Sequence, residues 1–238
     1  MSDREKLEAR LVWERPEPAS RPAPEPLSRE QIVRAAIALA DADGLAAVSL
    51  RKVGASLDAG PMRLYGYLSS KEELLELMVD AVYGEMASEG PLTGDWRRAL
   101  SAMAQRTRRA AKRHAWFIDL LGGRPHLGPH VLAHVEATFA ALSGAPGFEH
   151  IDSVMLAVGT VDAYVLGALR NEASKLERGM NQAEWEAVSG PYIQRMISTG
   201  RFPMLAQVVR DATHPSADVV FERGLDCVLD GIAARLGR

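Results

Sequence analysis

From Leu27 onward, apolar side chains recur every three to four positions, the period of a helix with one buried face. Ile32, Ala35, Ala36, Leu39 and Ala40 form the first stripe, and its alanines suit close packing against a neighbouring helix. Ser28 and Gln31 have the spacing of a capping box, Leu27 can staple onto Ile32, and Gly44 closes the segment. A second helix begins after Ser49, with Leu50, Val53 and Leu57 on its inner face. Asp58-Ala59-Gly60 then reads as a turn, and Pro61 sits at the first helical position, where its missing N–H does no harm. This third helix can run only to about Leu68, because Ser70 and Glu73 open a fourth through a second capping box. After Gly90-Pro91-Leu92-Thr93-Gly94 the same period predicts helices over 96–114, 129–142, 148–173, 182–199 and 216–236. No stretch alternates as a strand would, so the expected class is all-α.

The first residues break this texture. Segment 14–26, ERPEPASRPAPEP, is rich in proline and nearly devoid of apolar side chains, so 1–27 reads as a flexible arm. Its Arg10, Arg15 and Arg21 could enter a minor groove, but Glu8, Glu14, Glu17 and Glu25 dilute them, and plain disorder is the preferred reading. Apolar content of 47% and charged content of 25% over 238 residues describe a soluble globular chain of one or two domains. No uninterrupted apolar run reaches about 18 residues, and the N-terminus lacks a signal-type apolar segment. Together these imply a cytoplasmic protein with no membrane partner. The single cysteine, Cys227, excludes an internal disulfide, and its place in a helical apolar pattern suggests a small core residue.

A net charge of −3 excludes binding of polyanions by bulk attraction, but not through a local basic face. Residues 28–71 hold six basic and four acidic side chains, a net +2. Two helices joined by a tight turn, the second short and polar-edged, have the helix-turn-helix layout. A recognition helix enters the major groove by its N-terminal end, so it can be brief. Pro61, Met62 and Arg63 occupy that end, and Arg63 could bond guanine O6 and N7. Tyr65, Tyr67 and Lys71 would meet phosphates beside the fourth helix's N-terminus, with Arg51 and Lys52 adding charge from the second helix.

The run LSREQIVRAAIALADADGLAAVSLRKVGASL, followed after the turn by LYGYLSSKEELL, resembles the N-terminal domain of the TetR family of bacterial transcriptional regulators. Leu64-Tyr65 matches the family's leucine-tyrosine pair, and Lys71 its lysine opening helix four. Asp58 departs from the usual glycine, and Gly66 from a usual large side chain. More loosely, HAWFIDLLGGRPHLGP, VDAYVLGALRNE and FERGLDCVLDGIAARL resemble the family's C-terminal domain. The resemblance implies three parts: an arm at 1–27, a DNA-binding domain at 28–75, and a ligand-binding and dimerisation domain at 76–238. It further implies a homodimer that binds a double-stranded operator and releases it to a small-molecule effector; an activator of the same fold is the alternative. Tetracycline-binding members hold a magnesium-drug complex through histidines. The approximately matching positions fall near Ala87 and near Leu120 or Leu121, so no metal, cofactor or metal-tetracycline site is expected.

Residue patterns add detail to the second domain. Phe221, Leu225, Val228, Leu229 and Ile232 form a stripe suited to a second subunit, or else to burial within its own. On 148–173, Met155, Val158 and Val165 share a face with Asp162, a carboxylate that needs either an arginine or a polar ligand. Trp116, Phe117, Tyr164 and Trp185 are the aromatic candidates for the same pocket's walls. Histidines 114, 126, 130, 134, 150 and 214 include one i,i+4 pair without a third ligand and read as surface residues. The arginine-rich 97–113 reads as a solvated face, with secondary DNA contact as the other possibility. No nucleophile-base constellation or phosphate loop supports an enzyme.

Overall fold

The computed structural model describes residues 11–14, 27–123, 125–177 and 182–236, without the side chains of 175–177, 182, 183, 185 and 186. Among these there are eleven α-helices and no strand. The first unit holds α1 (Arg29–Asp43), α2 (Leu50–Ser56) and α3 (Pro61–Leu64), and α4 (Lys71–Ala87) leads out of it. The capping box at α1 is complete: Ser28 Oγ accepts from the Gln31 N–H, and the Gln31 side chain accepts from the Ser28 N–H at 2.8 Å. Gly44 ends the helix at φ 79°, a left-handed conformation natural to glycine. Ile32, Ala36, Val53, Leu64 and Leu68 close the small core between α1, α2 and α3.

The second unit comprises α5 (Trp96–Arg113), α6 (Phe117–Leu120), α7 (Pro129–Leu142), α8 (Ile151–Glu177), α9 (Gln182–Ser198), α10 (Pro203–Asp211) and α11 (Ala217–Leu236). The expected boundary at residue 75 falls inside α4. That helix packs on α1 at one end and on α5, α6 and α7 at the other, so it belongs to both units. Helix α10 follows from Pro203 at its first position, a start signal the sequence reading passed over.

Helix α8 amends one expectation. Over Ile151–Ser174 its mean hydropathy reaches 1.4, enough by length and composition to cross a membrane. Here it is the central helix of the second unit, in contact with α5, α6, α7 and α11. Segment 11–14 of the expected arm forms a short 3-10 turn with Val12 buried. The rest of that arm lies outside the described residues.

Candidate functional site

The DNA-facing end is shaped by one tight approach. Ala59 N–H donates to the Gly54 carbonyl at 2.8 Å, and a Cβ on Gly54 would stand 2.6 Å from the Ala59 oxygen. Only glycine lets the turn fold back onto α2 this closely. Asp58 adopts φ 49°, the left-handed region where the resemblance expected glycine. From this turn α3 is held by Leu64 and Leu68, both buried, while Met62 is 80% and Tyr65 50% exposed. Pro61 and Arg63 share that outer edge, and Arg51 and Lys52 are exposed on the first turn of α2. Tyr67 is half-buried, and its carbonyl accepts from Arg29 Nε–H at 3.2 Å, which ties α1 to the loop after α3.

The N-terminus of α4 is less open to phosphate than expected. Ser70 Oγ accepts from the Glu73 N–H, and the Glu73 carboxylate bonds Ser69 N–H rather than Ser70 N–H. Glu72's own backbone N–H, then the Ser70 side chain, hold its carboxyl below the usual range. Two carboxylates therefore take up part of the helix-end field beside Lys71.

In the second unit, α4, α5, α7, α8 and the loop after α6 enclose a cavity of about 360 Å³. Met103, Val131, Val158, Val165 and Leu166 give it apolar walls. Its polar groups are Tyr83, His126, His134 and Asp162, with Thr107 and Thr138 bonded back to their own helices. The Tyr83 and His134 rings meet edge-on, with centroids 5.1 Å apart. Burial, with a smaller contribution from the Asp162 charge, pushes the Tyr83 hydroxyl up to about 12. Burial, then the charge of Arg106, lowers His134 to about 4, so its imidazole is neutral at ordinary pH. Asp162 keeps accessible surface because it lines the cavity, yet the surrounding protein raises its carboxyl to about 6.

Of the expected pocket residues, Val158, Asp162 and Val165 line this cavity, while Trp116, Phe117, Met155 and Tyr164 do not. Met155 points outward and is 55% exposed. Tyr164 faces α11, where its hydroxyl donates to the Phe221 carbonyl at 2.7 Å. Trp185's side chain lies outside the described residues. Trp116 and Phe117 are buried behind the cavity, because their apolar area is better spent between α4, α5 and α1. Phe117 packs edge-on against Tyr83 and against Trp116. Trp116 Nε1–H donates to Asp41 on α1 at 2.7 Å, and His114 Nδ1 lies 2.8 Å from the same carboxylate. Among the described residues Asp162 has no arginine partner, which favours the pocket alternative over the structural pair. The missed cavity residues, Tyr83 and His134, left a weak signal: His134 was visible as half of an i,i+4 pair but was read as surface.

The stripe expected for dimerisation is spent inside the protomer. Phe221, Leu225 and Leu229 are each 1% exposed, turned toward the core that α11 shares with α8. Val228 and Ile232, half-buried, line a groove between those two helices. Cys227, expected in the core, is exposed and lines the same groove. Most of the basic residues of α5 have acidic partners. Arg108 is buried over the Phe221 ring at 4.4 Å and pairs with Glu172 and Asp218 at 2.8 Å each. Arg97 pairs with Asp230, Arg109 with Glu89, Lys112 with Asp218 and Arg113 with Glu85. These contacts tie α5 to α4, α8 and α11, while Arg98, Arg109, Lys112 and Arg113 stay exposed, so the expected solvated face balanced by acidic residues is what the structure shows. His114 and His134 are also not surface residues: the first is 4% exposed.

A short exposed reading edge on one unit and a walled cavity in the other together define a ligand-binding transcription factor. Residues 90–236 match the family model described as tetracyclin repressor-like, C-terminal domain. The chain is 34% identical over 231 residues to the HTH-type transcriptional repressor DrrR1 of Streptomyces coeruleorubidus, covering 93% of this chain and 83% of that protein. It is also 34% identical to an HTH-type transcriptional regulator of Saccharopolyspora erythraea, with 95% and 92% covered. Among solved structures, apo ActR of Streptomyces coelicolor superposes with a TM-score of 0.76 at 26% identity, covering 90% of this chain and 99% of that one. ActR in complex with actinorhodin gives the same TM-score and identity. The chain belongs to the TetR family of helix-turn-helix transcriptional regulators.

Proposed function

We infer that the protein is a homodimeric repressor that leaves its operator when a small molecule fills the cavity around Asp162. One observation carries this reading. The cavity wall is continuous with the DNA-binding unit: Tyr83 lines the cavity, Phe117 packs on Tyr83, Trp116 packs on Phe117, and Trp116 bonds Asp41 of α1. A ligand that displaces Tyr83 therefore acts on helix α1 through packed, discrete contacts, which is what coupling by differential affinity requires.

The DNA-contacting set is Arg51, Lys52, Pro61, Met62, Arg63, Tyr65, Tyr67 and Lys71. Pro61, Met62 and Arg63 approach bases, and the others approach phosphates. Two copies of α3 would enter successive major grooves about 34 to 36 Å apart on a palindromic site. The dimer face is the outer side of α8 and α11. Only 28% of the apolar stretch of α8 is buried within the protomer, and Leu156, Val220 and Cys227 remain exposed beside it. Gly167 and Gly231 have open space where a Cβ would stand, so the helices of a second copy can approach closely. The relatives support the repressor sign through DrrR1 and ligand response through the ActR–actinorhodin complex. We assign the cavity to recognition rather than turnover.

The test is to incubate the purified protein with fragments of its own genome and sequence those retained. Enrichment of an inverted repeat supports the reading. Repeating the capture with candidate small molecules should release the same fragments, and retention unaffected by every compound would count against ligand response. A promoter fused to a reporter distinguishes repression from activation by the sign of the change when the protein is supplied.

A further inference from the structure

We propose that the effector carries a protonated amine on an apolar, ring-sized body, with the amine seated on Asp162. The inference rests on the cavity being the effector site, as argued above, and adds the chemistry of what enters it. Three observations converge on Asp162. First, its carboxylate opens into the cavity and makes no hydrogen bond or ion pair within the described protein. Asp162 keeps accessible surface that water reaches, and a ligand that displaces this water must supply a polar or cationic partner or leave the carboxylate desolvated.

Second, every other polar group on the wall is neutral or already occupied. Tyr83 and His134 are uncharged at ordinary pH. His126 is held between Glu76 at 2.7 Å and the Leu120 carbonyl at 2.9 Å. The nearest cations are engaged elsewhere. Arg106 bonds the backbone carbonyls of Glu89 and Pro91, and Arg170 bonds the Leu121 carbonyl at 3.1 Å. Among the described residues the cavity wall itself thus offers one carboxylate and no arginine or lysine, so an anionic group would be disfavoured beside Asp162 and a neutral one would leave the carboxylate unpaired.

Third, the volume and walls suit an organic cation rather than a metal ion. About 360 Å³ with largely apolar walls is a small-molecule cavity. Among the described residues no group of three metal-ligating side chains gathers anywhere. A hard divalent ion would need several more oxygen ligands than this one carboxylate.

The experiment uses the full chain and three probes of matched shape: 1-naphthylmethylamine, 1-naphthalenemethanol and 1-naphthoate. Affinities are measured by calorimetry at pH 7.5 for the wild type, for Asp162→Asn, and for Val135→Trp, which fills the cavity from a partly exposed wall position. The amine should bind the wild type about tenfold more tightly than the alcohol, with the acid weakest. In Asp162→Asn the amine should fall to within about threefold of the alcohol, and Val135→Trp should weaken all three. Equal binding of amine and alcohol to the wild type, sensitive to Val135→Trp, would overturn the cation inference and leave the cavity reading standing. An amine preference that survives in Asp162→Asn would overturn it as well. If no probe binds, or Val135→Trp changes nothing, the cavity reading falls together with it. The ranking on the wild type decides the matter even if a variant does not fold.

Discussion

Trp116 donates its indole N–H to the Asp41 carboxylate at 2.7 Å, and this bond, with His114 Nδ1 at 2.8 Å from the same carboxylate, joins the ligand-binding unit to the first helix of the DNA-binding unit. The donor is poorly hydrated, since Trp116 is 3% exposed, while the charged acceptor keeps 33% of its side-chain surface accessible. Such a bond typically contributes about 1.5 to 3 kcal/mol. Trp116→Phe keeps the ring contact with Phe117 and removes only the donor. Urea unfolding should show a loss within that range, and hydrogen exchange in α1 should speed up. Unchanged exchange in α1 would mean that the bond does not couple the units.

Arg63 and Lys71 separate base reading from phosphate contact. Arg63→Ala should cost about 1 to 3 kcal/mol at one position of the operator and relax the base preference there. Lys71→Ala should weaken binding to all sequences alike and reduce the salt slope by about one unit. Anisotropy titrations on a set of single-base operator variants, at several salt concentrations, measure both.

Asp58 holds a left-handed φ of 49° in the turn before α3. That conformation costs a non-glycine residue about 1 kcal/mol, although aspartate tolerates it better than most. Asp58→Gly relieves the strain but makes the unfolded chain more flexible. The net expectation is a gain of about 0.5 kcal/mol, read from the urea midpoint at constant slope.

Gly231 lies exposed on the outer side of α11, where a Cβ would meet nothing within 4 Å. Gly231→Arg is therefore harmless to the protomer and improves helix propensity by about 1 kcal/mol. It places a long cation in the proposed dimer face. Light scattering should show the mass halved while the helical circular dichroism signal is retained. A variant that stays dimeric would move the interface elsewhere.

The pH dependence of amine binding follows from Asp162. Burial raises its carboxyl to about 6, so the cation-binding form is present above that value and is lost as pH falls through it. Affinity for 1-naphthylmethylamine should be flat from pH 8 to 7 and fall about tenfold by pH 5. Tyr83, pushed up to about 12, and His134, lowered to about 4, do not change charge in this window. Arg106 lies close enough for its charge to act on His134, and His126 also faces the cavity from the loop after α6. Asp162→Asn should remove the dependence if Asp162 is its source, and leave it intact if His126 is.

The first unit was largely legible in the sequence because its determinants are local. Ser28 and Gln31 specify the start of α1 three residues apart, Pro61 opens α3, and Gly44 closes α1, each through a hydrogen bond or dihedral within a few residues. Helical periodicity also located α7 to the residue. The sequence alone could mark Asp162 as a carboxylate out of place, since hydropathy along one helix face is a local property.

Only the tertiary structure could decide what each face meets. The stripe of Phe221, Leu225 and Leu229 suited either a partner or its own core, and packing against α8 settled it inward. Trp116 and Phe117 looked like pocket walls, yet they form the link behind the cavity, because that role depends on Tyr83 and Asp41, far away in the chain. The charges of α5 had the same ambiguity until Glu85, Glu89, Glu172 and Asp218 were brought alongside. Spacing along one helix fixes which side chains share a face, and long-range packing chooses the neighbour that covers it.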